Sequence, residues 1–168
     1  VEMTFELPNH EVLELEAVPA LVTILNRGAK PLQKGADYDL AFDITDASGV
    51  QMRMRPQQSL RIPEQLPPGQ SITVTNDLAL AYQIGRQGPY TVVARLKLAQ
   101  RALVSGREYL DVMPGAEVAM AEGFSTEGAA RRYSLRQLSR KNISRLYLRV
   151  DDPDASLCYG VVELGRFI

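Results

Sequence analysis

The 168-residue sequence predicts an all-β protein of antiparallel sheets, with a sandwich followed by a smaller sheet unit. Three observations predict it. Alternating or β-branched apolar segments recur along the chain, as in Ala20-Leu21-Val22-Thr23-Ile24-Leu25 and Tyr90-Thr91-Val92-Val93-Ala94. Clusters of Gly, Pro, Asn and Asp separate these segments. No stretch sustains an apolar i, i+3, i+4, i+7 pattern with proper helix caps. Apolar residues make up 45% of the chain and charged residues 23%, a composition that can bury a core and excludes disorder.

The first strands are expected over residues 3–7, 12–16 and 20–26, the last ending on the Asn26-Arg27-Gly28 turn. Residues 38–45 and 50–55 follow, joined as a hairpin by Asp46-Ala47-Ser48-Gly49, with the glycine taking the positive φ. Residues 71–75, 90–98 and 108–112 complete seven or eight strands, the number a sandwich needs.

Three places carry a resemblance to a known fold family. Ala20 to Gly28 looks like the second strand of bacterial immunoglobulin-like domains, an apolar strand ending in an Asn-x-Gly turn. Leu66-Pro67-Pro68-Gly69-Gln70-Ser71, with Ile72-Thr73-Val74, is similar to the turn and strand before their penultimate hairpin. Gly88-Pro89-Tyr90-Thr91-Val92-Val93-Ala94 resembles their next-to-last strand, with Tyr90 in the place of the corner tyrosine. The resemblance covers residues 1–114 and implies an immunoglobulin-like antiparallel β-sandwich. Fibronectin-type modules and the sandwich of bacterial proteinase inhibitors share the pattern, so it speaks to fold more than to function.

Met113-Pro114-Gly115 reads as a boundary, and residues 115–168 as a small antiparallel β-sheet unit with strands over 131–138, 143–150 and 157–164. The Arg140-Lys141-Asn142 turn and the Asp151-Asp152-Pro153-Asp154 loop join them. Residues 116–130 are ambiguous, Ala- and Glu-rich enough for a helix but interrupted by Gly123 and Gly128. A unit of this size has a marginal core and is expected to lean on the sandwich, on a longer parent protein or on a second copy of the chain, a homodimer.

No catalytic constellation emerges, and the expectation is a protein that is not an enzyme and takes no cofactor. His10 is the sole histidine and Cys158 the sole cysteine, which excludes multi-histidine and multi-cysteine metal sites and internal disulfides. His10 reads as a surface turn residue and Cys158 as a small strand hydrophobe. Asp37, Asp39 and Asp43 share one strand face without calcium-loop spacing, and Asp151, Asp152 and Asp154 suit a solvated turn. Gly85-Arg86-Gln87-Gly88 lacks the following helix that a phosphate loop needs.

The formal net charge of -1 argues against a nucleic-acid partner, and no apolar run is long enough to span a membrane. The charge is unevenly placed, with nine acids and three bases in residues 1–50 and seven bases without an acid from Arg131 to Arg149. Alternation in Arg145-Leu146-Tyr147-Leu148-Arg149-Val150 puts Leu146, Leu148 and Val150 toward a core, together with Val162 and Leu164. Arg145, Tyr147 and Arg149, joined by Tyr159 and Arg136, then form an exposed basic and aromatic face able to bind an anionic glycan or other polyanion. The competing reading pairs these arginines with acids, Glu163 or the acidic N-terminal region among them.

The function expected is a noncatalytic protein-binding or structural module of a bacterial periplasmic, cell-surface or secreted protein, its partner another protein or a neighbouring domain. The chain starts at Val1, which reads as the trimmed form of a longer product. Proteinase inhibition, through the proline-rich stretch from Pro56 to Gly69, and polyanion binding are the alternatives.

Overall fold

The computed structural model describes residues 1–155 and 157–166. One compact unit comprises Val1–His10, Ala17–Ile84 and Gly88–Asp111, and the other Glu11–Glu16, Gly85–Gln87 and Val112–Ile168. In chain order the elements are β1 (Glu2–Glu6), β2 (Glu11–Leu13), β3 (Pro19–Leu25), β4 (Leu32–Gln33), β5 (Tyr38–Asp46), β6 (Gln65–Leu66) and β7 (Ser71–Asp77). There follow the short helix α1 (Leu78–Ala81), β8 (Gly88–Leu98), β9 (Ala102–Val104), β10 (Glu108–Met113), β11 (Ala116–Phe124), β12 (Ala130–Arg140), β13 (Ile143–Asp151) and β14 (Cys158–Arg166).

In the first unit, β1, β3 and β7 form an antiparallel sheet in that order, while β10, β8 and β5 lie side by side in another, with β9 folded onto β8. Period-two alternation sends Ala20, Val22 and Ile24 of β3 into the core. Tyr38, Leu40, Phe42 and Ile44 of β5 and Tyr90, Val92, Ala94 and Leu96 of β8 do the same. The ring centre of Phe5 lies 5.6 Å from that of Phe42, so the sheets meet face to face. The pairing of early with middle strands in one sheet, and of β5, β8 and β10 in the other, is the immunoglobulin-like sandwich arrangement. Each large apolar side chain buried there contributes about 1.5–3 kcal/mol.

The strand expected over residues 50–55 does not form. The Asp46–Gly49 turn is made: Gly49 has φ +79, and Asp46 Oδ1 accepts from the Ser48 and Val50 amides, both at 2.9 Å. Beyond the Met52 amide, which bonds the Ile44 carbonyl, the backbone leaves β5; the Arg55 amide bonds Ala81 and the Arg53 carbonyl accepts from Gln83. Pro56 then has no amide to offer a ladder. Two buried asparagines fasten the irregular segments. Asn76 Oδ1 accepts from the Arg61 amide at 2.6 Å and its Nδ2 donates to the Arg61 carbonyl at 3.1 Å. Asn26 donates to the Lys30 and Leu66 carbonyls and accepts from the Gly28 amide, the turn its sequence predicts. Tyr90 is buried, as the corner position requires.

The second unit is a four-stranded antiparallel sheet, β11-β12-β13-β14, and the ambiguous segment supplies its extra strand. Cross-strand pairing of Glu117 with Arg136 and Arg132 overrides the helical leaning of the Ala- and Glu-rich stretch. Lys141 and Asn142 both adopt left-handed conformations, giving the mirror-image turn that matches hairpin twist. The core is Leu13, Leu138 and Tyr147, with Met113 and Val161 packed on it. Leu13 sits so close to Gly115 that a Cβ there would lie 2.8 Å from its side chain and 3.1 Å from the Gln137 carbonyl. That glycine, at φ +66, is required on both counts.

Candidate functional site

Of the basic and aromatic face expected from the sequence, Tyr147 and Arg149 are turned inward, while Tyr159 is exposed. Tyr147 is 0% exposed, whereas Leu146, Leu148 and Val150 lie half-buried and Val162 and Leu164 are exposed. The reason is the segment Glu11–Glu16, which belongs to this unit and carries carboxylates that match the arginine side of the sheet. Leu15 takes φ +63, and on either side of it Glu14 reaches β13 while Glu16 reaches both β12 and β13. Glu16 accepts from both Arg140 Nη atoms, from the Tyr147 hydroxyl at 3.1 Å and from the Leu13 amide at 2.8 Å. Arg149 donates to Glu14 at 2.8 Å and through Nε to both oxygens of the buried Asp151. Arg145 pairs with Glu163, Arg136 with Glu117 at 2.7 Å, and Tyr159 lies beneath the Arg131 guanidinium at 4.1 Å.

Electrostatics follow from that packing. Burial and the adjacent Glu16 charge push the Tyr147 phenol up to about 12. For Arg140, burial works against the charge, but the bond to Glu16 and its charge outweigh it and raise the guanidinium further. Burial pushes the Cys158 thiol up to about 11, the nearby Arg149 only partly offsetting it. The thiol is thus poorly suited to nucleophilic chemistry.

The first unit holds a groove that the sequence reading missed. β5 ends its sheet, paired with β8 alone. Residues 50–54 stand beside it and enclose, with β5 and β8, a groove of about 800 Å³. The small Ala41, between Asp39 and Asp43, lines it together with Arg95 and Lys97 of β8 and with Met52, Arg53 and Met54. Asp43 accepts from Arg95 Nε at 3.0 Å and Nη2 at 2.6 Å, and Asp39 Oδ1 from the Leu40 amide at 2.9 Å. The Tyr82 hydroxyl accepts from the Phe42 amide at 2.9 Å, and burial raises its phenol above the ordinary value. Arg53 and Lys97 are exposed and hold no ion pair among the described residues. The signal in the sequence was the small residue between two acids in one strand, with Arg95 and Lys97 two apart in another.

The remaining candidates have local roles. His10 Nδ1 donates to the Tyr109 carbonyl at 2.9 Å on the surface. Asp37 accepts from the Gln33 amide and Asp152 from the Leu157 amide, both as turn caps. Among the described residues no three His, Cys, Asp or Glu side chains gather as a metal site. The proline-rich stretch is tied down: Tyr38 donates to the Pro63 carbonyl at 2.6 Å, and Leu60 and Ile62 are buried. Among the described residues no helix is long and apolar enough to cross a membrane.

No protein-family model matches the sequence, and no curated protein matches it. Among solved structures, the chain is similar to the crystal structure of the periplasmic chaperone SfaE, at 15% identity and a TM-score of 0.37, over 95% of this chain and 98% of that one. The chain itself is an all-β protein with an immunoglobulin-like sandwich.

Proposed function

We propose that the chain is a noncatalytic protein-binding module whose first unit takes an extended segment of its partner along β5. The observation that carries this reading is the groove beside an edge strand. Because the Phe42 amide points to Tyr82, the amides and carbonyls of Leu40, Phe42 and Ile44 turn away from β8. The Phe42 amide and the Ile44 carbonyl are taken up by Tyr82 and Met52. The Leu40 and Phe42 carbonyls lie on that same edge, where an incoming backbone can donate to them, and both residues line the groove. Strand addition of this kind draws affinity from main-chain hydrogen bonds and specificity from flanking pockets. The volume, about 800 Å³, falls within the range of ligand clefts.

Selection of displayed peptides on the immobilised protein tests the proposal. Enriched sequences should be β-prone and extended, and Ala41→Trp, which places an indole among the residues that line the groove, should abolish their binding. Peptides that bind Ala41→Trp as well as the parent protein would refute it. The proposal includes residence of the parent protein in the bacterial envelope or outside the cell, which rests on the sandwich resemblance. Recovery of the native protein only from the cytoplasm of its source cells would remove that part.

A further inference from the structure

We infer that the four-stranded sheet of the second unit packs face to face against the same sheet of a second copy of the chain. Its two faces are unlike. One bears Ser134, Leu138, Tyr147 and Asp151, all buried. Leu146, Leu148 and Val150 alternate with the buried residues along β13 and point to the other face, where they stay half-buried although β13 is an inner strand. Toward the sheet edges the same face opens further: Val162 is 59% exposed, and Ala119 and Ala121 are exposed.

Cross-strand register shows what this open face is made of. Leu148 stands opposite Leu135 on one side and Val162 on the other, and Leu135 stands opposite Ala119. In the next row Tyr133 lies between Ala121 and Val150. Apolar groups thus run from one edge of the sheet to the other. The polar groups at one end already have partners: Gln137 Nε2 donates to Ser144 Oγ at 3.2 Å, and Ser144 Oγ lies 2.7 Å from Ser139 Oγ. Arg131 is the one charged side chain of this face among the described residues, and its guanidinium stacks on the Tyr159 ring at 4.1 Å. Taking such a face out of water removes apolar surface at little polar cost.

Size and charge favour a second copy as the occupant. Four strands about 4.8 Å apart and nine residues long cover roughly 600 Å² in plan, above the few hundred Å² of apolar patch that monomers ordinarily expose. Side-chain relief carries the accessible area toward the roughly 800 Å² that each partner gives to a standard interface. A single extended peptide would cover only part of it, whereas a second sheet of the same size, stacked about 10 Å away, covers it all. A two-fold interface also sets a surface against itself, so a charge near the axis meets its own kind. Here the single charge, Arg131, stands near the start of β12, away from the apolar rows.

Sedimentation velocity on the full chain, from micromolar concentration to about 100 µM, tests the inference. The upper end should show twice the mass of one chain. Leu148→Glu should return it to one chain, because symmetry buries two added carboxylates. Val162→Glu, at a position exposed in the single chain, should weaken association about tenfold or more and decides the matter alone if Leu148→Glu fails to fold by circular dichroism. Val104→Glu, exposed on β9 of the first unit, should leave the dimer as it is, and so should Ala41→Trp, which reports separately on the peptide site. A chain that stays single to about 100 µM, a dimer that survives Val162→Glu unchanged, or one that Val104→Glu dissolves equally would overturn the inference.

Discussion

The Tyr147 hydroxyl donates to Glu16 Oε1 at 3.1 Å, joining residues 131 positions apart in the sequence. The same carboxylate receives both Nη atoms of Arg140, so one glutamate serves a buried phenol and a largely buried guanidinium. A hydrogen bond to a charged acceptor is worth about 1.5–3 kcal/mol, and loss of one partner of a largely buried ion pair costs about 3 kcal/mol or more. Tyr147→Phe should therefore destabilise the second unit by about 2 kcal/mol. Glu16→Ala should cost more, because Arg140 then has no carboxylate. Urea unfolding followed by circular dichroism measures both, and a Glu16→Ala midpoint equal to that of the parent would contradict the account.

Alkaline pH should act through the same residue. The folded-state value of Tyr147, about 12, lies above the ordinary phenol value of about 10 because burial and Glu16 disfavour the phenolate. Its contribution is complete below about pH 10 and is lost as pH rises through about 12. Stability should fall across that window, and Tyr147→Phe should flatten the fall. Thermal melts between pH 9 and 12 would show it; an identical slope in the variant would exclude Tyr147 as the cause.

Cys158 should be slow to react. With its thiol pushed up to about 11 by burial, it carries little thiolate at pH 8, and iodoacetamide should modify the native protein much more slowly than the urea-unfolded chain. Equal rates in the two states would show that the site is more open than its packing indicates.

Asn76 should prove costly to replace. Its side chain closes two hydrogen bonds on the Arg61 backbone from a buried position. Asn76→Ala leaves that amide and carbonyl without their partners, at about 1–3 kcal/mol for each group that stays buried. Proteolysis should then cut near residues 55–63 first, a pattern readable by mass spectrometry. First cleavage elsewhere would argue that other bonds hold the segment.

Much of the sandwich is legible in the sequence because period-two alternation and turn residues act locally. Val22 and Val92 are buried where alternation places them, and the Asn26-Arg27-Gly28 and Lys141-Asn142 turns form where their chemistry allows. What alternation cannot tell is which of two faces meets the core when both carry large side chains. In β13 both do, and the choice falls to Glu14 and Glu16, far away in sequence. The backbone bonds of Arg53 and Arg55 likewise go to residues around α1 rather than to β5, a non-local choice that a strand-like composition conceals. The groove was hidden for the same reason, since it exists only once residues 50–54 leave the ladder beside Ala41.

The central claim is that β5 and its groove receive an extended protein segment. Hydrogen exchange with mass spectrometry on the full chain, with and without a selected peptide, tests it most directly. The account predicts added protection in peptic fragments covering residues 39–43 and 50–54, and none in fragments from β11 to β14. Protection confined to the arginine-bearing strands β12 and β13, with residues 39–54 exchanging as before, would contradict it.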